Sequence, residues 1–172
     1  MKGALGTFLL GWAYLILLGS ALPFLPQDWP YPDIVLLVAV YASLRLGKCG
    51  WLPVLLLGIL EDLYAGAPLG ANAFSKLLIY SLIRWGAEKF FLTSTAASMI
   101  TTLLAASLDF LLFSGILLLL GLSPPLMEVR ALYSWGITAL FAPFLFHLND
   151  RLLGSWQRSG QPSSHEVGQV QR

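Results

Sequence analysis

The chain has 172 residues, of which 57% are hydrophobic and 11% charged, with mean hydropathy +0.75 and a formal net charge of +1. Soluble domains carry about 25% charged residues, and a soluble fold of this size has too little interior to hide so much apolar side chain. The near-neutral charge excludes the broad basic field of a nucleic-acid binder. The single cysteine, Cys49, excludes an intrachain disulfide, and His147 and His165 are too few and too separated for a zinc ligand set.

The first apolar run, residues 3–25, is long enough to cross a bilayer with some tilt. A cleaved signal peptide competes, with Gly19-Ser20-Ala21 as small residues for cleavage. The run exceeds a usual signal core and more apolar runs follow, so a retained helix is preferred. Pro23 and Pro26 end it. Residues 27–33 form a polar connection in which Trp29 and Tyr31 suit the headgroup layer. Pro32-Asp33 opens the next run, and Asp33 is positioned to cap its free N–H groups.

Residues 34–46 and 51–60 are each too short for a full span, and Arg45, Gly47, Lys48 and Gly50 lie between them. One kinked span would hold both cations at mid-membrane, at about 2.5–3.5 kcal/mol each. A hairpin of two short helices leaves them in water, so the hairpin is predicted. The second helix is expected to stop on Glu61 and Asp62, and a turn through Gly66, Pro68, Gly70 and Asn72 leads into a fourth helix over residues 71–83. Glycine accepts positive φ without cost, so Gly66, Pro68 and Gly70 should set the turn. Asp62 is expected to tie the turn to the next helix through Asn72 and the unpaired N–H groups there.

After a polar turn at Arg84, Trp85, Glu88 and Lys89, residues 90–120 form one long span, with Thr93 or Ser94 as its cap. Its first half is small and hydroxylic, from Thr95 through Ser107. Small residues let membrane helices approach closely, so this helix is expected to be the central one. Residues 121–130, with Pro124-Pro125, form a turn. Residues 131–148 form the last span, ended by Asn149, Asp150 and Arg151. This divides the chain into a transmembrane bundle, residues 1–153, and a disordered cytoplasmic tail, residues 154–172. With six spans, Lys2, Arg45, Lys48, Arg84, Lys89, Arg151, Arg158 and Arg172 share one side, which predicts that both termini are cytoplasmic.

Two charges fall inside spans. Lys76, a turn inside the fourth helix, is expected to snorkel to the outer face. Asp109, near the middle of the fifth, is read evenly as a functional acid or a structural one. It is protonated or paired, with Ser107 available to share its hydrogen bonds, so Asp109→Asn should leave abundance nearly unchanged. His147 is read as an interface residue. No phosphate-binding glycine loop, nucleophile elbow or metal-binding helix pair occurs, and no cofactor or enzymatic activity is expected. A lipid-modifying enzyme would need an intramembrane acid–base pair, for which Asp109 alone is too little.

Pro32-Asp33, the basic turn, and then Gly58 through Ala73 together resemble the rod shape-determining MreD family of bacteria. Gly58 and Asp62 match its G-x-x-x-D run, and Gly66, Pro68, Leu69 and Gly70 match its G-x-P-L-G turn. Glu61 and Asp109 lie outside the pattern. The resemblance covers nearly the whole chain in length, span count and polar tail. It implies an all-α, polytopic membrane helix bundle of about six transmembrane helices, resembling the substrate-binding subunits of energy-coupling-factor (ECF) transporters. It also implies a multi-pass protein of the bacterial cytoplasmic membrane, embedded in the lipid bilayer. Such a protein links an MreC-like scaffold, an MreB-like actin homologue, and a RodA-type glycosyltransferase with its transpeptidase. Asp33, Gly58, Asp62, Gly66, Pro68, Gly70 and Asn72 are then the candidates for partner interaction. The likeness to ECF subunits supplies the rival reading, a vitamin-type carrier, which needs a sizeable cavity lined by a few polar groups.

Overall fold

The computed structural model of the protein describes residues 2–21, 31–87, 95–122 and 129–158. Among them are six α-helices and no strand: α1 (Lys2–Ala21), α2 (Ile34–Arg45), α3 (Trp51–Ala65), α4 (Ala71–Ala87), α5 (Thr95–Leu119) and α6 (Val129–Arg158). A 3-10 turn, Gly47–Gly50, joins α2 to α3. Windows in α1 (Gly3–Ser20) and α5 (Ala96–Leu119) are long and apolar enough to cross a membrane. Pro23, Pro26, Trp29, the caps expected at Thr93 and Ser94, the Pro124-Pro125 turn and residues 159–172 lie outside the described residues.

α2 and α3 fold back on one another, as the charge argument required. Ala39 and Ala42, late in α2, pack with Val54, early in α3, while Val35 and Val38, early in α2, pack with Leu57 further along α3. α4 runs alongside α2 with the same sense: the Tyr80 hydroxyl donates to the Gly47 carbonyl at one end, and Lys76 bonds Asp33 at the other. α5 returns to bring Asp109 to Lys76. α6 follows α2, with Thr138 at Asp33 and Asp150 at Arg45.

The central helix is α2, not α5. Every residue from Val35 to Ser43 is buried, which is possible only because this 12-residue helix is apolar on all sides. α5 presents the expected small residues, but only as one stripe, Ser98, Thr102, Ala105 and Ala106. Ile100, Leu104, Leu111 and Leu118 point away from the protein. Small residues permit close approach on the face that carries them, whereas centrality requires burial on every face. The outer surface of the bundle is apolar, with Leu140 63% and Phe144 66% exposed on α6.

Three expected boundaries move. α3 does not stop on its acids but continues one turn to Ala65 and ends at Gly66, whose φ of +64° forms the left-handed cap. Ala67 N–H then reaches back to the Asp62 carbonyl at 3.1 Å, the bond of a Schellman ending. α4 runs through Arg84 and Trp85 to Ala87, beyond the expected end at 83. α6 continues through Asn149 and Asp150 to Arg158, so the segment expected to begin a disordered tail at 154 is helical for its first turn. Asn149 and Asp150 do not terminate the helix because their side chains bond laterally, accepting from the Tyr14 and Tyr41 hydroxyls.

Candidate functional site

Lys76 is the organising residue. It lies in the second turn of α4 and is 1% exposed, the largest fully buried side chain among the described residues. It does not snorkel. Its Nζ donates to Asp109 Oδ2 at 2.5 Å and to Asp33 Oδ2 at 2.6 Å, and it stands 4.0 Å from Glu61 Oε2. A buried ammonium is tolerable only with such partners, since an unpaired charge in an apolar interior is far costlier than one held by carboxylates.

The two carboxylates that accept from Lys76 are themselves held. Asp33 caps α2 through Oδ1, which accepts the Leu36 N–H at 2.8 Å, and its own N–H donates to Thr138 Oγ1 on α6 at 3.0 Å. The cap therefore does two things with one carboxylate, opening α2 and pairing with the cation of α4. Asp109 accepts the Ser75 hydroxyl at 2.5 Å on its second oxygen. The expected help from Ser107 is absent, because that hydroxyl donates to the Leu104 carbonyl of its own helix. Ser134 on α6 bonds the Tyr31 carbonyl, which fastens the approach to Asp33.

One helical turn along, the α3–α4 turn forms a second unit. Asp62, 1% exposed, accepts the Gly70 N–H on Oδ2 at 2.7 Å and the Asn72 N–H on Oδ1 at 2.9 Å. This is the expected tie to the start of α4: a carboxylate on the free N–H groups of a helix N-terminus, where the backbone dipole also favours negative charge. Gly70 takes φ +95°, and the Pro68 carbonyl accepts the Ala71 N–H at 3.0 Å. Gly58 lies where α3 and α4 touch, and a Cβ there would come within 2.5 Å of Ala73 Cα.

Asp33, Lys76 and Asp109 thus converge in one cluster, and Gly58, Asp62, Gly66, Pro68, Gly70 and Asn72 in the adjoining turn. Sequence reasoning missed that Glu61 joins the cluster, and that Ser75 and Thr138 support it. The available signal was complementarity: a lone cation and a lone anion, each inside an apolar helix, require partners. His147 is exposed. A cavity of about 160 Å³ opens beside the cluster, lined mainly by α5 and α6, with Leu36 of α2, Glu61 of α3 and Asn72 of α4 completing it. Among the described residues, no group of three or more His, Cys, Asp or Glu side chains is placed to hold a metal ion.

No family model, curated protein or solved structure matches the chain.

Proposed function

We propose that the protein is a six-span, non-enzymatic component of the bacterial cytoplasmic membrane that serves the cell-elongation machinery in the manner of the MreD proteins it resembles. It would link an MreC-like scaffold, an MreB-like actin homologue and peptidoglycan synthases, with both termini in the cytoplasm. The observation that carries this reading is that the motif residues act on one another. The Asp62 carboxylate of G-x-x-x-D grips the backbone at Gly70 and Asn72, and Gly58 gives α4 its seat against α3. The motif is thereby a device for fixing one turn, suited to presenting a rigid surface to a partner. An apolar exterior, with large hydrophobic side chains exposed along α5 and α6, supports the membrane setting. Arg45, Arg84 and Arg151 near the opposite end from Asp62 support the orientation.

The cavity beside Lys76 does not itself support the vitamin-carrier reading, since ligand sites for molecules of that size occupy about 300–1,000 Å³ and this cavity is about 160 Å³. Depletion in a rod-shaped host tests the proposal. Rounded cells with normal vitamin uptake are expected, and a nutrient requirement with normal shape would overturn it. Reporter fusions at residues 48 and 127 should fall on opposite sides of the membrane; the same side for both refutes the six-span topology.

A further inference from the structure

The Lys76 cluster has more acceptors than donors. Three carboxyl groups, from Asp33, Glu61 and Asp109, face one ammonium. Asp33 and Asp109 are occupied by Lys76, Ser75 and the Leu36 N–H. Glu61 is not. Its Oε2 is shut off from solvent, has no hydrogen-bond partner, and lies too far from Lys76 Nζ, at 4.0 Å, to accept from it. A buried carboxyl oxygen without a donor is costly, and Glu61, the residue that carries it, is among those lining the cavity of about 160 Å³. The cavity is also lined by Phe110, Phe113 and Trp135, with Phe110 and Trp135 packed edge to face at 5.7 Å. Aromatic faces attract cations, and they do so more strongly where water is excluded.

We propose that this cavity binds an ammonium group, supplied by a small amine or by an amine-bearing lipid headgroup. With the Glu61 side chain turned into the cavity, the amine N–H donors satisfy Oε2, its positive charge complements the acidic side chains, and the aromatic side chains accept its charge and its carbon atoms. The alternatives fit less well. An anion would meet three acidic side chains, and a chelated metal would lack three placed ligands among the described residues. A vitamin-sized molecule would exceed the space. Glu61 retains 22% side-chain exposure, which leaves its side chain room to turn toward an incoming amine. The inference is independent of the cell-elongation role.

The test uses the full chain purified in detergent, titrated calorimetrically with ethanolammonium chloride against sodium chloride at equal ionic strength. In parallel, thermal unfolding is compared in nanodiscs of phosphatidylcholine with and without phosphatidylethanolamine. Saturable binding of ethanolammonium identifies a free amine as sufficient. Stabilisation by phosphatidylethanolamine alone identifies the lipid headgroup. Glu61→Gln should weaken the response at least tenfold, and Phe113→Leu severalfold; should the first not fold, the second decides. No saturable response to either probe, an equal response to sodium, or a response undiminished in the variants overturns the proposal.

Discussion

Lys76→Met isolates the energetic role of the buried cation. Methionine keeps most of the length and apolar stem of lysine but removes Nζ, leaving Asp33 Oδ2 and Asp109 Oδ2 without their shared donor. Removing one member of a buried ion pair costs about 3–5 kcal/mol, because the remaining charge stays desolvated. Here the loss falls near the lower end. The Asp33 side chain is 28% exposed and recovers some water, and each aspartate keeps one other hydrogen bond, from Leu36 N–H or the Ser75 hydroxyl. The expected destabilisation is about 3 kcal/mol, roughly a hundredfold in the folded-to-unfolded ratio. It is measured by chemical unfolding in detergent alongside abundance in membranes. Adding Asp33→Asn and Asp109→Asn to Lys76→Met should recover at least half of the loss, since the stranded charges are gone and asparagine still caps α2. Asp109→Asn alone, which sequence reasoning expected to be almost neutral, should now cost about 1.5–3 kcal/mol, the worth of a hydrogen bond to a charged group. A Lys76→Met protein within 1 kcal/mol of wild type, or a triple variant no more stable than the single, would refute this account of the cluster.

Other outcomes follow from the same geometry. Asp62→Ala leaves the Gly70 and Asn72 N–H groups unpaired and should cost about 1–3 kcal/mol; hydrogen exchange should speed up at those two amides first, and unchanged protection there would count against the tie. Gly58→Ala should destabilise by about 1–3 kcal/mol through overpacking. Adding Ala73→Gly should not restore it, because the nearest atom to the new Cβ is Ala73 Cα; full rescue would show that the helices meet differently. Arg45→Ala removes an ion pair to Asp150 at 3.2 Å whose side chains are 51% and 42% exposed, so its cost in the same unfolding assay should not exceed about 1 kcal/mol; a larger loss would show that this end of the bundle is drier than its exposure indicates.

Much of the architecture was determined by the chain's local chemistry. Apolar runs broken by proline, glycine and charge mark out six helices, because each breaker acts within a turn of where it stands. The Asp33 cap, the α2–α3 hairpin and the Asp62 tie were legible for the same reason: each joins groups close in sequence, or follows from the cost of one charge at one depth. Only the tertiary structure decided which helix lies at the centre. α2 and α5 are both apolar, and burial on every face depends on neighbours that neither sequence segment specifies. It alone decided the fate of Lys76, whose partners lie 43 and 33 residues away on other helices. Snorkelling is what a lone lysine does near a membrane surface; a lysine with two carboxylates within 2.6 Å has a better alternative in the interior. Whether a charge in an apolar helix faces water, lipid or an opposite charge is set by how the helices rotate and dock, and that rotation depends on the packing of the whole bundle.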